Sequence, residues 1–245
     1  MTLQEINQAL DQIKEVTDYV YLHLKGEPLL HPDFNEILAL CEKKQLYVQL
    51  VTNGTFLNQY PDLIHQKCLR KISFSLHSIP YQSLDAEDYI TPILKFAENA
   101  SILDGPYVEL RFWNIDHLDK KSEICLNTIK KLHPLIETSR PGSFKWLKNV
   151  YIHFDSQFQW PSEASANDSS GTCQGARSMI GILCDGTVVP CCLDDQGTIN
   201  LGNIFTHPLS QILQSPRLCA MQKGFKERKL IEPLCQKCTY RHRFN

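Results

Sequence analysis

Apolar positions in the first part of the chain follow two alternating rhythms. Leu3, Ile6, Leu10 and Ile13 lie three and four residues apart, which predicts a helix over residues 3–16. Tyr19-Val20-Tyr21-Leu22-His23-Leu24 then reads as a short buried strand, broken by Gly26-Glu27-Pro28. Residues 34–44 return to helical spacing, and residues 46–52 (LYVQLVT) form a second strand that ends at the turn signal Asn53-Gly54. The succession repeats with a helix over 57–65, a strand over 71–77 and a helix around 93–99. A strand over 108–113, a helix over 122–132 and a last strand over 150–154 complete it. Strands separated by helices imply βαβ units and a parallel sheet, because parallel neighbours need crossover connections. Five such strands in about 155 residues suit an open or partial α/β barrel rather than a full eight-fold one. Sites in such sheets form at the C-terminal strand ends. Gly26-Glu27, Asn53-Gly54, His77-Ser78 and Asn114 fall there.

The pattern changes after Trp160-Pro161. Residues 162–171 (SEASANDSSG) are polar and read as a linker or mobile loop. Beyond them lie a hairpin signal with Asp185-Gly186 as its turn, a second at Asp195-Gln196-Gly197, and one helix near 209–214. A region with so little apolar periodicity makes a marginal core alone, and a structural metal centre is the usual remedy. Two domains are therefore expected, residues 1–165 and residues 166–245.

Composition sharpens this picture. A net charge of -2 over 245 residues leaves no footprint for nucleic acid or an anionic membrane. The chain begins on neither the basic nor the apolar segment of a signal peptide, and no stretch approaches the roughly 20 apolar residues of a membrane span. A soluble, cytoplasmic protein is expected. The ten cysteines do not suit a secreted disulfide framework in a chain of this size. Cys41, Cys68 and Cys125 are scattered among apolar residues and read as buried small hydrophobes.

The other seven cysteines fall between residues 173 and 238, and their spacing asks for a metal. Cys173 precedes the first strand of the Asp185-Gly186 hairpin and Cys191 follows its second, so the turn can bring both together. Cys235-X2-Cys238 adds a turn-sized chelate. Zinc ribbons present paired CX2C knuckles, of which there is one here. A [4Fe–4S] cluster accepts four cysteines at more irregular spacing. Iron–sulfur is the preferred reading, with zinc behind it. Cys192 competes with Cys191, but adjacent strand residues face opposite sides, so one of the pair alone can face the site. Cys184 and Cys219 read as structural cysteines or as residues behind the ligands.

These motifs resemble a family. CX12GX4C, the hairpin Asp185–Cys192, Leu201-Gly202-Asn203-Ile204 and the terminal CX2C look like the SPASM region of radical S-adenosylmethionine (SAM) proteins, in its short, single-cluster twitch version. The Gly-X4-Cys spacing of that pattern also selects Cys191. Longer SPASM regions carry further cysteines after the CX2C. The residues after Cys238 contain none, so the resemblance implies one auxiliary [4Fe–4S] cluster on Cys173, Cys191, Cys235 and Cys238. Gly26-Glu27-Pro28 resembles the segment whose backbone meets the SAM amino group in the radical SAM partial barrel. Asn53 would follow the next strand. Ser75 and His77 on the fourth strand of that barrel, with Arg111 on the fifth, would face the SAM ribose and carboxylate. From the residues alone, Gly26-Glu27-Pro28 is equally a loop, and Arg111 equally a partner for a carboxylate such as Glu109.

One element of the family pattern is missing. Radical SAM proteins hold their reactive cluster with CX3CX2C after the first strand, and here the first cysteine is Cys41, on an expected helix. The chain thus resembles a truncated partial barrel that starts on the first helix, with a small iron–sulfur domain behind it. The resemblance implies an oxidoreductase or modifying enzyme acting on a peptide or small molecule. The chain given would bind the auxiliary cluster without cleaving SAM alone, and would rely on a reductant protein or a separately encoded N-terminal segment. The alternatives are a non-catalytic iron–sulfur electron-transfer or binding module and a zinc-stabilised interaction domain.

Overall fold

The computed structural model describes residues 1–158, 160–161 and 167–244. Its contacts divide the chain into two compact units, Asp18–Gln157 and a second made of Met1–Thr17 with Phe158–Asn245. The start of the expected linker, residues 162–166, lies outside the described residues.

The first unit is built on one sheet. Strands β1 (Tyr19–Leu22), β2 (Tyr47–Thr52), β3 (Leu69–Ser75) and β4 (Tyr107–Phe112) are joined in parallel, with helices α2 (Phe34–Lys43) and α3 (Ala86–Ile102) in the crossovers after β1 and β3. After α4 (Lys120–Leu132) come β5 (Ile136–Glu137), β6 (Ser143–Leu147) and β7 (Val150–Phe154). The sheet order is β1-β2-β3-β4-β7-β6-β5, with β7 parallel to β4 and the β5–β6 pair added antiparallel outside it. The parallel five are those the sequence pattern predicts. The β5–β6 pair is not, because Ile136-Glu137 is too short for any periodicity and Pro134 stands just before it.

Strand alternation divides this sheet into two faces. Val20, Val48, Leu50, Ile72, Phe74, Val108, Leu110, Phe112, Val150 and Ile152 are buried. The helices contribute Leu38, Cys41, Ile93, Ala97, Cys125 and Ile129, all fully buried. Phe74 packs edge-on against Phe96 of α3. Fully burying each such aliphatic or aromatic side chain stabilises by roughly 1.5–3 kcal/mol. Cys41, Cys68 and Cys125 are all in this core. The other face is polar: register places Gln49 beside Lys71, aligns Ser73, Glu109 and Tyr151, and aligns Ser75, Arg111 and His153.

Two expectations shift locally. The helix over 57–65 is two short 3-10 turns, Leu57–Gln59 and Pro61–His65, because Pro61 lacks the N–H that a continuous helix would use. His77 lies on a 3-10 turn (Leu76–Tyr81) after β3 rather than on the strand, since pairing with β4 ends at Ser75.

The second unit contains α1 (Leu3–Lys14), whose start is fixed by a capping box between Thr2 and Glu5. Sequence grouped this helix with the sheet in a domain of residues 1–165. In the structure its Ala9 and Ile13 belong to the apolar cluster of Ile199, Leu201, Ile204, Ile212, Met221 and Phe225. Gln12 clamps the helix there, donating from Nε2 to the Ile204 carbonyl (2.9 Å) and accepting the Leu209 N–H at Oε1 (2.7 Å). The small sheet has order β10-β9-β8, from β8 (Gly181–Ile182), β9 (Thr187–Val189) and β10 (Gly202–Asn203), all antiparallel. Helices α5 (Leu209–Ile212), α6 (Pro216–Lys226) and α7 (Pro233–Lys237) follow. The sequence reading has α5 but not α6, although Ser215 caps it, Pro216 opens it, and Leu218, Met221 and Phe225 form its buried stripe.

Candidate metal centre and strand-end site

The Asp185-Gly186 turn forms as its residues dictate. The Leu183 N–H donates to the Thr187 carbonyl, the Gly186 N–H to the Leu183 carbonyl, and the Asp185 carboxylate accepts the Thr187 N–H at 3.0 Å. Gly186 has φ +85°, and a Cβ there would strike the Phe205 ring and come within 2.8 Å of Asn203 Oδ1. Only glycine suits both the backbone and the space. The second turn signal is real too: the buried Asp194 carboxylate accepts the N–H groups of Thr198 (2.8 Å) and Ile199 (2.7 Å), turning the chain toward β10.

This hairpin delivers Cys191 two residues after β9. The Ala176 N–H donates to the Pro190 carbonyl (2.7 Å), which draws the Cys173 segment alongside. Gly175 sits between the two cysteines: a Cβ there would be 3.1 Å from Cys191 Cβ and 3.6 Å from Cys173 Sγ. Cys235 lies on α7, and the Cys238 N–H closes back on the Cys235 carbonyl at 3.2 Å. Electrostatic coupling joins the set, since Cys235 feels Cys191, Cys173 and Cys238, and Cys191 feels Cys173 and Cys238. Its neighbour Cys192 acts on Cys191 as well.

Burial dominates the chemistry of these thiols. It pushes Cys191 up to about 12 and raises Cys173, Cys235 and Cys238 as well, with neighbouring cysteines adding to the rise at Cys191 and Cys235. Backbone amides oppose it. Gln174 and Gly175 donate to the Cys173 sulfur, the Gly175 bond measuring 3.3 Å, Leu193 donates to Cys191, and Tyr240 and Arg241 to Cys238. Amides aimed at sulfur favour the thiolate, the form that ligates metals. Four converging cysteines, three of them amide-supported, fit an iron–sulfur cluster in donor type and number. Among the described residues, no three of the Cys, His, Asp or Glu side chains are arranged around a single-ion site. Cys184 and Cys219, read from sequence as structural or as lying behind the ligands, are exposed: Cys184 stands at the hairpin turn, and Cys219 is on the face of α6 away from the buried stripe of Leu218 and Met221.

In the first unit the expected residues lie at the C-terminal strand ends. Gly26, at φ +102° with nothing within 4 Å of a built Cβ, opens the loop after β1. Glu27 turns inward: its carboxylate accepts from Thr52 Oγ1 (2.7 Å), the Asn53 N–H (2.7 Å) and the Leu29 N–H (3.0 Å). It thereby caps the 3-10 turn Pro28–Leu30 and ties that loop to the end of β2. Asn53 Oδ1 is used by Thr55, and its carbonyl by the Tyr89 hydroxyl (2.6 Å). The structure thus brings Glu27 and Asn53 together, and sets Ser75 beside Arg111 across β3 and β4.

Arg111 donates from Nε to Glu109 Oε2 (2.5 Å), the pairing that the residues alone allowed. Lys71 Nζ (3.1 Å) and Ser73 Oγ (3.0 Å) reach the same oxygen. Burial would raise the Glu109 carboxyl, but the Arg111 and Lys71 charges and hydrogen bonds outweigh it and hold it at about 2. The Arg111 guanidinium also lies 5.1 Å from the Trp113 ring centre, and His77 stacks on Trp113 at 5.6 Å. Burial, then the Arg111 charge, lowers His23 to about 4. Burial also lowers His77, opposed by its contact with the Arg111 carbonyl. Sequence reading missed Lys71, Ser73, Trp113, His23 and His153 here. The period-two polar positions 71, 73 and 75 carried the signal for Lys71 and Ser73.

Residues 173–239 match the family model of SPASM, an iron–sulfur cluster-binding domain. The fold is similar to that of BtrN in complex with AdoMet and 2-DOIA, with a TM-score of 0.55 at 14% identity over 96% of this chain and 78% of that one. It is also similar to Streptococcus suis SuiB bound to S-adenosylmethionine, with a TM-score of 0.57 at 14% identity over 92% of this chain. The chain spans 61% of SuiB's length. No curated protein matches by sequence.

Proposed function

We propose that this chain is the strand-end and auxiliary-cluster portion of a radical SAM/SPASM oxidoreductase, with Cys173, Cys191, Cys235 and Cys238 as the ligands of one [4Fe–4S] cluster. The observation that carries this is the coincidence of the SPASM match with four electrostatically coupled cysteines, three of them supported by backbone amides. When bound, such a cluster supplies a one-electron donor or acceptor and an anchoring point for substrate. The fold likeness to BtrN and SuiB supports a SAM-facing role for the Gly26-Glu27-Pro28 loop, Asn53, Ser75 and Arg111.

In this reading Gly26 exposes backbone toward the SAM amino group, while Glu27 holds that loop against Asn53 rather than touching ligand. Arg111 keeps its Nε on Glu109 and offers the terminal nitrogens of its fork to a carboxylate. His23 and His77, held neutral near pH 7, add hydrogen-bonding edges without extra charge. The residues given contain no CX3CX2C, so in this reading the cluster that reduces SAM is held outside them, with electrons from a reductant protein. The substrate is a peptide or a small hydroxylated molecule. The family match, which covers residues 173–239, supports a second reading too, a non-catalytic electron-transfer module using the C-terminal cluster alone. The two differ in whether SAM binds.

Anaerobic reconstitution of the full chain tests the ligand set. A brown protein with about four iron and four sulfide per chain is expected, with the colour lost in Cys235→Ala. A colourless protein holding one zinc overturns the reading. SAM binding that weakens in Arg111→Gln separates the enzyme from the electron-transfer module.

A further inference from the structure

Arg241 is the only lysine or arginine buried among the described residues, at 3 % exposure. It follows Cys238 by three positions, and its backbone N–H is one of the donors to the Cys238 sulfur. Its guanidinium is gripped from the other side. Nη1 donates to the Ser170 carbonyl (2.7 Å) and Nη2 to Asp168 Oδ2 (2.8 Å), while Asp168 Oδ1 accepts from the Ser170 N–H and Oγ, both at 2.9 Å. The remaining donor, Nε, is buried with no hydrogen-bond partner among the described residues. Leaving such a group unpaired is costly, so its charge needs a counterpart.

Asp168 balances that charge incompletely. Its side chain is 52% exposed and screened by water, whereas the guanidinium is 4% exposed. The positive field therefore reaches Cys173 and Cys238, with Arg177 adding to it at Cys173. Arginine stays charged at any working pH. One-electron reduction adds negative charge to a site already ringed by four thiolates, so a fixed cation favours the reduced state.

We propose that Arg241 is the fixed positive charge of the four-cysteine centre, a positioning residue that ties residues 168–170 to the CX2C turn and sets the potential of the bound cluster. This rests on the ligand set proposed above.

The test uses the full chain, reconstituted anaerobically and titrated with dithionite in the presence of redox dyes, as wild type, Arg241→Gln, Arg241→Lys and Asp168→Asn. Arg241→Gln is expected to keep its iron and to shift the reduced-to-oxidised ratio at fixed potential about tenfold toward oxidised, equivalent to 59 mV for one electron. Arg241→Lys restores the wild-type potential, and Asp168→Asn moves it in the positive direction. An iron-loaded Arg241→Gln with the wild-type potential overturns the proposal. If Arg241→Gln holds no iron, Asp168→Asn decides: a positive shift supports the proposal, and an unchanged potential overturns it. A wild-type chain that takes up no cluster instead overturns the ligand set.

Discussion

The polar face around Glu109 and the four-cysteine centre handle buried charge in opposite ways. Glu109 is surrounded by Lys71, Arg111 and Ser73, so the protein itself supplies the counter-charges and the carboxylate stays ionised down to about 2. The cysteine centre gathers four thiols whose burial opposes ionisation, with backbone amides and Arg241 as its main favourable partners. In the first region the carboxylate is fully compensated as folded. In the other, the proposed cluster would supply the positive core that releases the thiol protons. An array that leaves buried groups uncompensated points to its ligand, whereas a balanced one can be purely structural.

That contrast can be broken most severely at the cysteines. Cys235→Ala is expected to abolish cluster uptake and to loosen the second unit, read by iron analysis and by hydrogen exchange over α7. Exchange in β2–β4 should be unchanged. Next, Glu109→Gln removes the acceptor that balances two cations. It should cost about 3–5 kcal/mol, the range for breaking a buried pair from one side, measured by urea unfolding. If the loss is under about 1 kcal/mol, in the range of an exposed surface pair, the face is not the closed system described.

Acidification probes the same face without mutation. The Glu109 carboxyl sits below its ordinary value of 4.5, so its stabilisation is present above pH 4.5 and fades as pH falls toward 2. The shift corresponds to about 3 kcal/mol. His23 is also depressed, so its contribution is lost over a higher window, as pH falls from 6.5 toward 4. Urea midpoints should fall in both windows, and Glu109→Gln should remove the lower one. Smaller still, Gly186→Ala forces a side chain into positive φ and onto Phe205, and is expected to cost about 1–3 kcal/mol with reduced iron uptake. Cys219→Ser, on an exposed helix face, should change stability by less than about 0.5 kcal/mol and leave iron content alone.

Much of the architecture was legible along the chain. The parallel strands, α2–α4 and the Asp185-Gly186 hairpin announce themselves because their signals are local: alternation of apolar residues, caps and turn residues. The β5–β6 pair escaped because the two residues of β5 carry no period. Helix α6 escaped although Ser215-Pro216 and its apolar stripe were there to be read. At the site, the spacing of Cys173, Gly186, Cys191, Cys235 and Cys238 was readable at once, while the Lys71–Glu109–Arg111 set was visible only as an unremarked polar alternation.

Sequence alone therefore determined which segments could become strands, where the glycine-dependent turns lie and which cysteines are spaced to share a centre. Tertiary structure decided what those residues meet. It placed α1 on the C-terminal core through Gln12, aligned Glu109 with Ser73 and set Arg111 against it, turned Glu27 inward, and buried Arg241 beside Cys238. Local signals depend on neighbours a few residues away. These pairings join positions up to about 197 apart in the chain, and only packing and strand register bring them together.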